Sequence, residues 1–394
     1  MNPRRGIVHV LFHPVSAKRF VEPLVAASIA DGEDAELWVQ PVQGAEAFLA
    51  SLKVPAKICP SNLGLNPVKT VSAFFALWMN LRHRRPLVLY AHLLRGAFLP
   101  LLAAFVCRVP VRVYHNHGAP YIAYRGILRA LLKAMEWANC HLATHIATDS
   151  AGMRPALRAV APAYEPIAVY GPGSPCGLDP SEYAETPDAA AKMRARHDWN
   201  FGDGDLVLLY VGRPHRRKGF HLTLEAFQRL FAARTDVRLL ICGCSAADVA
   251  AVLPKPAPGI HALGYREDLR AVYHVGDAIL LPSFHEGFGN SLLEGAAQGC
   301  AMLASRIPGP DILVEDGKNG FLTVPESVED LMRALKEMDQ DRGRLRAMGA
   351  TAYQKALQFR RDLVVGPYLA FMRDIMTAAD SRFSGENSGG KLAA

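Results

Sequence analysis

Residues Leu281–Glu294 read LPSFHEGFGNSLLE and carry the pattern around which the rest of the chain is arranged. The apolar run Asp277–Pro282 predicts a short buried strand, and a glycine-rich loop follows it before an apolar segment of helical character. The unpaired backbone N–H groups and the positive dipole end of such a helix suit an anion such as a diphosphate. Glu286 and Glu294 bracket the loop, and carboxylates beside an anion site suit sugar hydroxyls better than phosphates.

Strands and helices alternate on both sides of this stretch. The N-terminal strands are predicted at Ile7–Phe12, Ala35–Val39, Leu87–His92, Val111–Tyr114 and Ile146–Asp149. The C-terminal strands are predicted at Leu206–Val211, Val237–Cys242, Ile260–Leu263, Asp277–Pro282, Ala301–Ala304 and Gly320–Val324. Continuous apolar runs separated by helices are typical of parallel strands. The predicted fold class is therefore α/β, with two doubly wound, Rossmann-like domains.

The polar, charge-rich segment Glu182–Asp205 has no strand pattern and marks the interdomain region. We therefore predict an N-terminal domain over residues 1–180 and a C-terminal domain over residues 181–363. A loop is predicted over residues 55–67, a helix over Val328–Met348, and a final amphipathic helix over residues 364–380. The small, glycine-rich remainder, residues 381–394, predicts a disordered tail.

The composition is that of an ordinary soluble chain, and 394 residues suit two domains. None of its apolar runs reaches the roughly 18–20 residues that a spanning helix needs. The start, MNPRRGIVHVLF, enters a strand without the pattern of a secretory signal. The seven cysteines include no CxxC pair, which favours buried reduced thiols over a zinc site. These features predict a reducing, cytoplasmic compartment.

The net charge of +7 is unevenly distributed. Residues 1–176 carry 18 Lys and Arg against 9 Asp and Glu, whereas the remainder carries 26 against 28. A basic N-terminal half indicates an anionic partner, either a membrane surface or a diphosphate-bearing acceptor, in preference to nucleic acid; plain solubility is the alternative. The helical segment Val68–Arg82 is apolar and ends in cations, which is compatible with an interfacial helix or with an ordinary core-facing one.

Cations and histidines follow several of the predicted strands. Arg213 and Lys218 come after Leu206–Val211 in the run GRPHRRKG, where a glycine turn lets a ligand approach the backbone. A solvated loop would explain this run taken alone, but after a buried strand it predicts a diphosphate clamp. His117 follows the strand Val111–Tyr114 and is either a structural residue or a contact for a reacting sugar. His92 and His115 are weaker candidates at the same edge.

Other motifs are read as structural. Asp203–Asp205 has the DxD form of metal-bound nucleotide sugars, but it precedes a strand and is interpreted as a turn. No GxGxxG follows the first strand and the chain has no Walker lysine loop, which argues against nicotinamide and P-loop chemistry. We therefore predict no metal and no cofactor.

Six blocks in order resemble the large retaining glycosyltransferase family with the GT-B fold and the E-x7-E motif. They are VYHNHG, GPGSPCGLD, YVGRPHRRKG, GYREDL, LLPSFHEGFGNSLLEGAAQG and IPGPDILVEDGKNGFL, between Val113 and Leu322. The match is closest to the branch that extends capsular, O-antigen and other surface polysaccharides. The resemblance implies two domains facing a cleft, with the C-terminal helix returning to the N-terminal domain.

The resemblance also implies roles for individual residues. His117 and Glu286 would be catalytic, close to the donor sugar. The donor diphosphate would be bound by Arg213, Lys218, Gly287, Phe288, Gly289 and Asn290. The nucleotide ribose and base would be bound by Glu294, Gly264, Tyr265 and Arg266. The chain departs from the family at two places. HPVSAKRF replaces the glycine pair that many members carry after the first strand, which leaves acceptor contacts open, and Cys176 replaces the usual asparagine, so the role of that side chain is not carried over.

The expected activity is retaining, metal-independent transfer of a sugar from a nucleotide diphosphate sugar. Uridine is the expected base, and the expected acceptor is a growing surface glycan on a polyprenyl-diphosphate carrier. The protein would work in the cytoplasm at the inner face of the membrane, and its oligomeric state stays open. Two alternatives remain: a non-catalytic nucleotide-sugar-binding partner in polysaccharide assembly, and another GT-B enzyme such as a sugar-nucleotide epimerase.

Overall fold

The structure is a computed structural model and describes residues 6–11, 16–41, 45–60, 66–183 and 189–388. The chain forms two compact units. Unit 1 comprises Met1–Gly177 with Asp362–Ala394, and unit 2 comprises Leu178–Arg361. Phe12, the predicted last residue of the first strand, lies outside the described residues.

Unit 1 is built on a parallel sheet of seven strands. They are β1 (Ile7–Leu11), β2 (Ala35–Val39), β3 (Ala56–Ile58), β4 (Val88–His92), β5 (Val111–Asn116), β6 (His145–Thr148) and β7 (Ile167–Ala168). Their order is β3-β2-β1-β4-β5-β6-β7, so the direction of winding reverses between β1 and β4. Ligands of such sheets bind beyond the carboxyl ends of the strands at this switch point.

Helices cover both faces of that sheet, which explains why its central strands are buried throughout. They are α1 (Glu22–Ala30), α2 (Ala45–Ala50), α3 (Pro67–Arg84), α4 (Leu94–Val106), α5 (Gly126–Leu142) and α6 (Arg154–Arg158). The strand β3 lies within residues 55–67, where the sequence predicts a loop; it is a short edge strand of half-buried residues and therefore has little apolar signal.

Unit 2 repeats the arrangement with six parallel strands. They are β8 (Leu206–Val211), β9 (Val237–Cys242), β10 (Ile260–Gly264), β11 (Ala278–Leu281), β12 (Ala301–Ser305) and β13 (Gly320–Thr323). The order is β10-β9-β8-β11-β12-β13, which places the switch point between β8 and β11. The prediction of two doubly wound parallel sheets is confirmed.

The helices of unit 2 begin before its first strand. They are α7 (Pro180–Tyr183), α8 (Ala189–Asp198), α9 (Phe220–Phe231), α10 (Ala246–Val252), α11 (Arg270–Val275), α12 (Asn290–Ala296), α13 (Val328–Gln340) and α14 (Arg342–Ala356). The helix α8 lies in the predicted interdomain region, where the buried Arg196 donates to the Val275 carbonyl and pairs with Asp277 at 2.7 Å. The single helix predicted over Val328–Met348 is two helices, because Asp341 caps α14 by accepting from the Arg344 N–H at 2.8 Å.

The final helix, α15 (Arg361–Ser388), is longer than the predicted span 364–380. Val364, Tyr368 and Met372 on this helix pack in the core of unit 1 with Ile7, as expected for a helix that returns to the N-terminal domain. Part of the predicted tail 381–394 is thus helical, and residues 389–394 lie outside the described residues. Within the described ranges, no helix is both long enough and apolar enough to cross a membrane.

Candidate functional site

Two loops of unit 2 leave the sheet side by side at the switch point. β8 and β11 are adjacent parallel strands in the register Leu208↔Ala278, so the loops after them start at the same edge. The first loop, residues 212–219, carries Arg213 and Lys218. The second, residues 282–289, carries Glu286 and the glycines of the opening stretch. The fold therefore brings together the two halves of the predicted diphosphate site.

Direct contacts lock these two loops together. The Lys218 Nζ lies 2.6 Å from the Glu286 Oε1, and the Phe284 N–H donates to the Arg217 carbonyl at 2.8 Å. Gly219 adopts φ +70°, and a Cβ atom there would lie 2.1 Å from the Pro282 carbonyl oxygen. Only glycine permits both that backbone conformation and that approach, so Gly219 sets how close the loops come.

The Lys218–Glu286 pair holds its carboxylate ionised. Burial raises the pKa of Glu286, but the charge of Lys218 and its hydrogen bond outweigh burial and keep the pKa below its usual range. The sequence assigns these two residues to different ligand groups, whereas the structure pairs them. Arg213 is exposed, and its carbonyl accepts from the Tyr210 hydroxyl at 2.9 Å, which fixes the start of the loop on the sheet.

The glycine loop offers main-chain donors. Among the described residues, the N–H groups of residues 287–290 have no hydrogen-bond acceptor. Gly289 adopts φ +108°, which turns the chain into α12. The Phe288 side chain points the other way, into the core, with its ring 5.4 Å from that of Phe359. Phe288 can therefore contribute only its backbone to a ligand. The helix α12 has only seven residues, so the donors of the loop matter more than a long helix dipole.

Glu294 lies on the second turn of α12 and is buried. Its Oε2 accepts from the Tyr273 hydroxyl at 2.8 Å, which restrains the carboxylate. Tyr273 belongs to α11, and nothing in the sequence around it indicates this contact. Gly264, the last residue of β10, adopts φ +66°, and the side chains of Tyr265 and Arg266 after it are exposed.

In unit 1, His117 belongs to a hydrogen-bonded row of histidines. Its Nδ1 lies 2.9 Å from the Asp149 Oδ2, and its Nε2 lies 3.0 Å from the His92 Nδ1. The His92 Nε2 meets the His9 Nδ1 at 3.1 Å, and the His9 Nε2 meets the Tyr368 hydroxyl at 3.1 Å. Both ring nitrogens of His117 are thus engaged inside the unit.

A second arm ends on the same carboxylate. The His115 Nε2 lies 3.0 Å from the Asp149 Oδ1, and the His115 Nδ1 lies 3.0 Å from the Tyr90 hydroxyl. Burial works to raise the pKa of Asp149, but the charge of His117 and the hydrogen bonds from His115 and His117 hold it well below its usual range. Asp149 is therefore an ionised acceptor.

Whereas Asp149 is ionised, burial favours the neutral form of the neighbouring histidines, because it disfavours the imidazolium form. Burial and the charge of His115 lower the pKa of His9 to about 3. Burial and the charge of His117 lower the pKa of His115 to about 4, and the pKa of His92 also falls well below its usual range. All the hydrogen bonds can form with these rings neutral, because each ring then donates its single N–H in the direction of Asp149.

His92, His115 and His117 bring ligand atoms within 4.8 Å of one another, a spacing that a metal could use. The contacts above engage all six of their ring nitrogens, five through hydrogen bonds and the His115 Nε2 through an ion-pair contact with Asp149. The expectation of no metal stays a prediction.

His9, Asp149 and Tyr368 were not among the site residues predicted from the sequence. A histidine inside the apolar run IVHVL and an aspartate directly after β6 were the available signals. Cys176, whose role was left open, donates to the Arg19 carbonyl at 3.2 Å within unit 1.

Comparisons with known proteins agree with this geometry. The family model for glycosyl transferases group 1 matches residues 205–341, so this segment of unit 2 is a domain of that family. The D-inositol 3-phosphate glycosyltransferase of Corynebacterium kroppenstedtii is 29% identical over 46% of this chain, and the match covers 43% of that relative. The capsular polysaccharide biosynthesis glycosyltransferase CapM of Staphylococcus aureus is 23% identical over 66% of this chain and 72% of its own length.

Among solved structures, Anabaena HepE in complex with UDP and glucose superposes with a TM-score of 0.75 at 17% identity. The superposition covers 94% of this chain and 100% of that one. The two parallel Rossmann-like domains are thus those of the GT-B fold.

Proposed function

We propose that the protein is a retaining glycosyltransferase that moves a sugar from a nucleotide diphosphate sugar, with uridine as the base, to a growing surface glycan on a polyprenyl-diphosphate carrier. The observation that carries this proposal is the pair of interlocked loops at the switch point of unit 2. They combine the cations Arg213 and Lys218 with a row of N–H groups that have no acceptor in the part of the chain that the structure describes. Support comes from the group 1 domain and from CapM, which is named for capsular polysaccharide biosynthesis.

The residues of unit 2 would act on the donor. Arg213, Lys218 and the N–H groups of residues 287–290 would neutralise the diphosphate as it leaves. A phosphate oxygen at Lys218 would compete with Glu286 for the ammonium group, which lies 2.6 Å from that carboxylate, and would free Glu286 for the sugar hydroxyls. Glu294, held by Tyr273, would accept from the ribose hydroxyls, and Gly264, Tyr265 and Arg266 would border the base.

Unit 1 would bind the acceptor and supply His117. The acceptor hydroxyl would attack the face from which the diphosphate departs, with retention of configuration, and the departing phosphate would take the hydroxyl proton. Neither a metal nor another cofactor is part of this proposal, because the chain's own cations and N–H groups supply the positive charge.

Incubation with UDP-sugars and a polyprenyl-diphosphate-linked acceptor is expected to release UDP in proportion to acceptor. A coupled assay for UDP would measure the release, and thermal shift would first identify the sugar that binds. Binding without UDP release would support the alternative of a non-catalytic nucleotide-sugar-binding partner. A changed sugar nucleotide formed without acceptor would support an epimerase.

One surface of unit 1 supports the proposal that the protein makes peripheral contact with the inner face of an anionic membrane. Along α3, Val68, Val71, Phe75 and Met79 form one exposed apolar stripe, and Arg82 follows it. The opposite side of α3 packs in the core, so the stripe is additional to the core-facing side. An apolar stripe that ends in cations is typical of an interfacial helix.

Replacing Phe75 and Met79 together by Ser is expected to reduce pelleting with anionic vesicles at least tenfold, since both side chains would lose their contact with acyl chains. Ser72→Ala, on the same exposed helix, is the matched control. Unchanged pelleting of the double variant, or no pelleting of the wild type at low salt, would exclude this surface; a protein partner would then be the remaining occupant of the stripe.

A further inference from the structure

Glu136 is a buried carboxylate on the third turn of α5 that the proposed reaction does not use. Its Oε1 accepts from the Tyr114 hydroxyl at 2.8 Å and from the Asn116 amide at 2.9 Å. Its Oε2 is buried without a hydrogen-bond partner among the described residues. Burial raises the pKa of Glu136 to about 7, although the two hydrogen bonds lower it. A carboxylate in such surroundings destabilises the fold, so its contacts indicate a role other than stability.

Asn116 links this carboxylate to the loop that carries His117. The Asn116 amide nitrogen donates to the Gly118 carbonyl at 3.1 Å, and its amide oxygen accepts from the Gly118 N–H at 2.9 Å. The side chain thus brackets the backbone on the far side of His117, where Gly118 adopts φ +121°. The two amide protons of Asn116 go to Gly118 at 3.1 Å and Glu136 at 2.9 Å, and the Tyr114 hydroxyl is a more distant acceptor at 3.4 Å. Without Glu136 the amide would lose its nearest acceptor and could rotate and open the loop.

The rest of the surroundings cannot replace Glu136. The titratable groups facing it are Tyr114 from β5, Tyr121 from the following turn, and Cys140 on α5 itself. Tyr121 donates to the Ala156 carbonyl at 2.7 Å, and Cys140 is buried one turn further along the helix. The Tyr114 hydroxyl accepts from the Asn116 amide only at 3.4 Å, so Glu136, at 2.9 Å, is the nearest side-chain acceptor for that amide.

We propose that Glu136 is a positioning residue that fixes the loop of residues 116–118 to α5 and so holds the His117 imidazole in one orientation, between Asp149 and His92. The proposed reaction at His117 gives this positioning its purpose, so the proposal rests on the proposed function. In this proposal, α5 orients the reactive side chain of His117, which directly follows the neighbouring strand β5.

Histidine ¹⁵N NMR of the full chain tests the orientation directly. With the His117 signals assigned by a His117→Gln variant, and at a pH at which the ring is neutral, the wild type is expected to show one fixed tautomer with the proton on Nδ1. Glu136→Ala is expected to average the two His117 nitrogens toward a common shift, while Glu136→Gln, which keeps an acceptor oxygen for Asn116, retains the wild-type pattern. Cys140→Ala removes a buried group of the same helix and should leave His117 unchanged.

Activity provides the second measurement. Glu136→Ala is expected to lower kcat by roughly 10- to 100-fold with little change in donor KM, since misplacement of a reacting group acts on the chemical step. A wild-type His117 spectrum in Glu136→Ala would overturn the proposal. An averaged His117 signal with unchanged kcat would leave the positioning role intact and count against His117 in the proposed function.

Discussion

Lys218→Ala is expected to lower kcat/KM by roughly 10²–10³-fold, or about 3–4 kcal/mol, because it removes a fixed cation from the leaving diphosphate. Glu294→Ala is expected to act mainly on donor binding and to raise the donor KM, since the carboxylate held by Tyr273 would lose its ribose contact. Steady-state kinetics with varied UDP-sugar would separate the two effects.

Stability has to be measured alongside these rates. Lys218 neutralises the partly buried Glu286, so its removal leaves a carboxylate without its cation. Lys218→Arg keeps a cation there, and Lys318→Ala removes an exposed lysine of the same unit that pairs only at the surface with Glu315. Folded Lys218→Ala and Glu294→Ala variants with the kcat/KM of Lys318→Ala would contradict the assignment of this site.

The histidine row is expected to make the free energy of unfolding of unit 1 fall as the pH drops below neutral. Each of His9, His92 and His115 has a folded-state pKa below 6.5, so it contributes stability that is complete above pH 6.5 and is lost as the pH falls. Between pH 7 and pH 5, His9 and His115 should each lower the free energy of unfolding by about 2 kcal/mol, and His92 should lower it further. Total stabilities are only about 5–15 kcal/mol.

Urea titrations at several pH values, followed by the fluorescence of the buried Trp38, would measure this loss in unit 1. His9→Gln should reduce the loss between pH 7 and pH 5 by about 2 kcal/mol, since one titrating group is removed. His141→Gln removes an exposed histidine of the same unit and should leave the pH dependence unchanged. A free energy of unfolding that stays constant down to pH 5 would contradict neutral, buried rings. The Asp149 contribution follows only at lower pH, below its unfolded pKa near 3.8.

Much of the fold was predictable from local patterns. Long apolar runs such as Leu206–Val211 and Val237–Cys242 are strands with the predicted bounds, because a strand buried on both faces needs an unbroken apolar sequence. The break at Asp341 was missed because a capped helix pair and one long helix present nearly the same periodicity.

For the site, the sequence alone placed Arg213, Lys218, Glu286 and Glu294 after particular strands and beside particular glycines. That was enough to predict one shared edge, because the carboxyl ends of parallel strands lie together. The loop contacts, the inward turn of Phe288 and the anchoring of Glu294 by Tyr273 were not predictable, since each depends on atoms far apart in the chain.

The stretch Leu281–Glu294 determined by itself the strand, the glycine loop and the two carboxylates, because those depend on neighbours in sequence. Only the tertiary structure decided that Lys218 pairs with Glu286. It also decided that one hydrogen-bonded row runs from Asp149 through His117, His92 and His9 to Tyr368. Hydrogen bonds between residues as distant as His9 and Tyr368 exist only once the sheet is assembled and the last helix has packed against it.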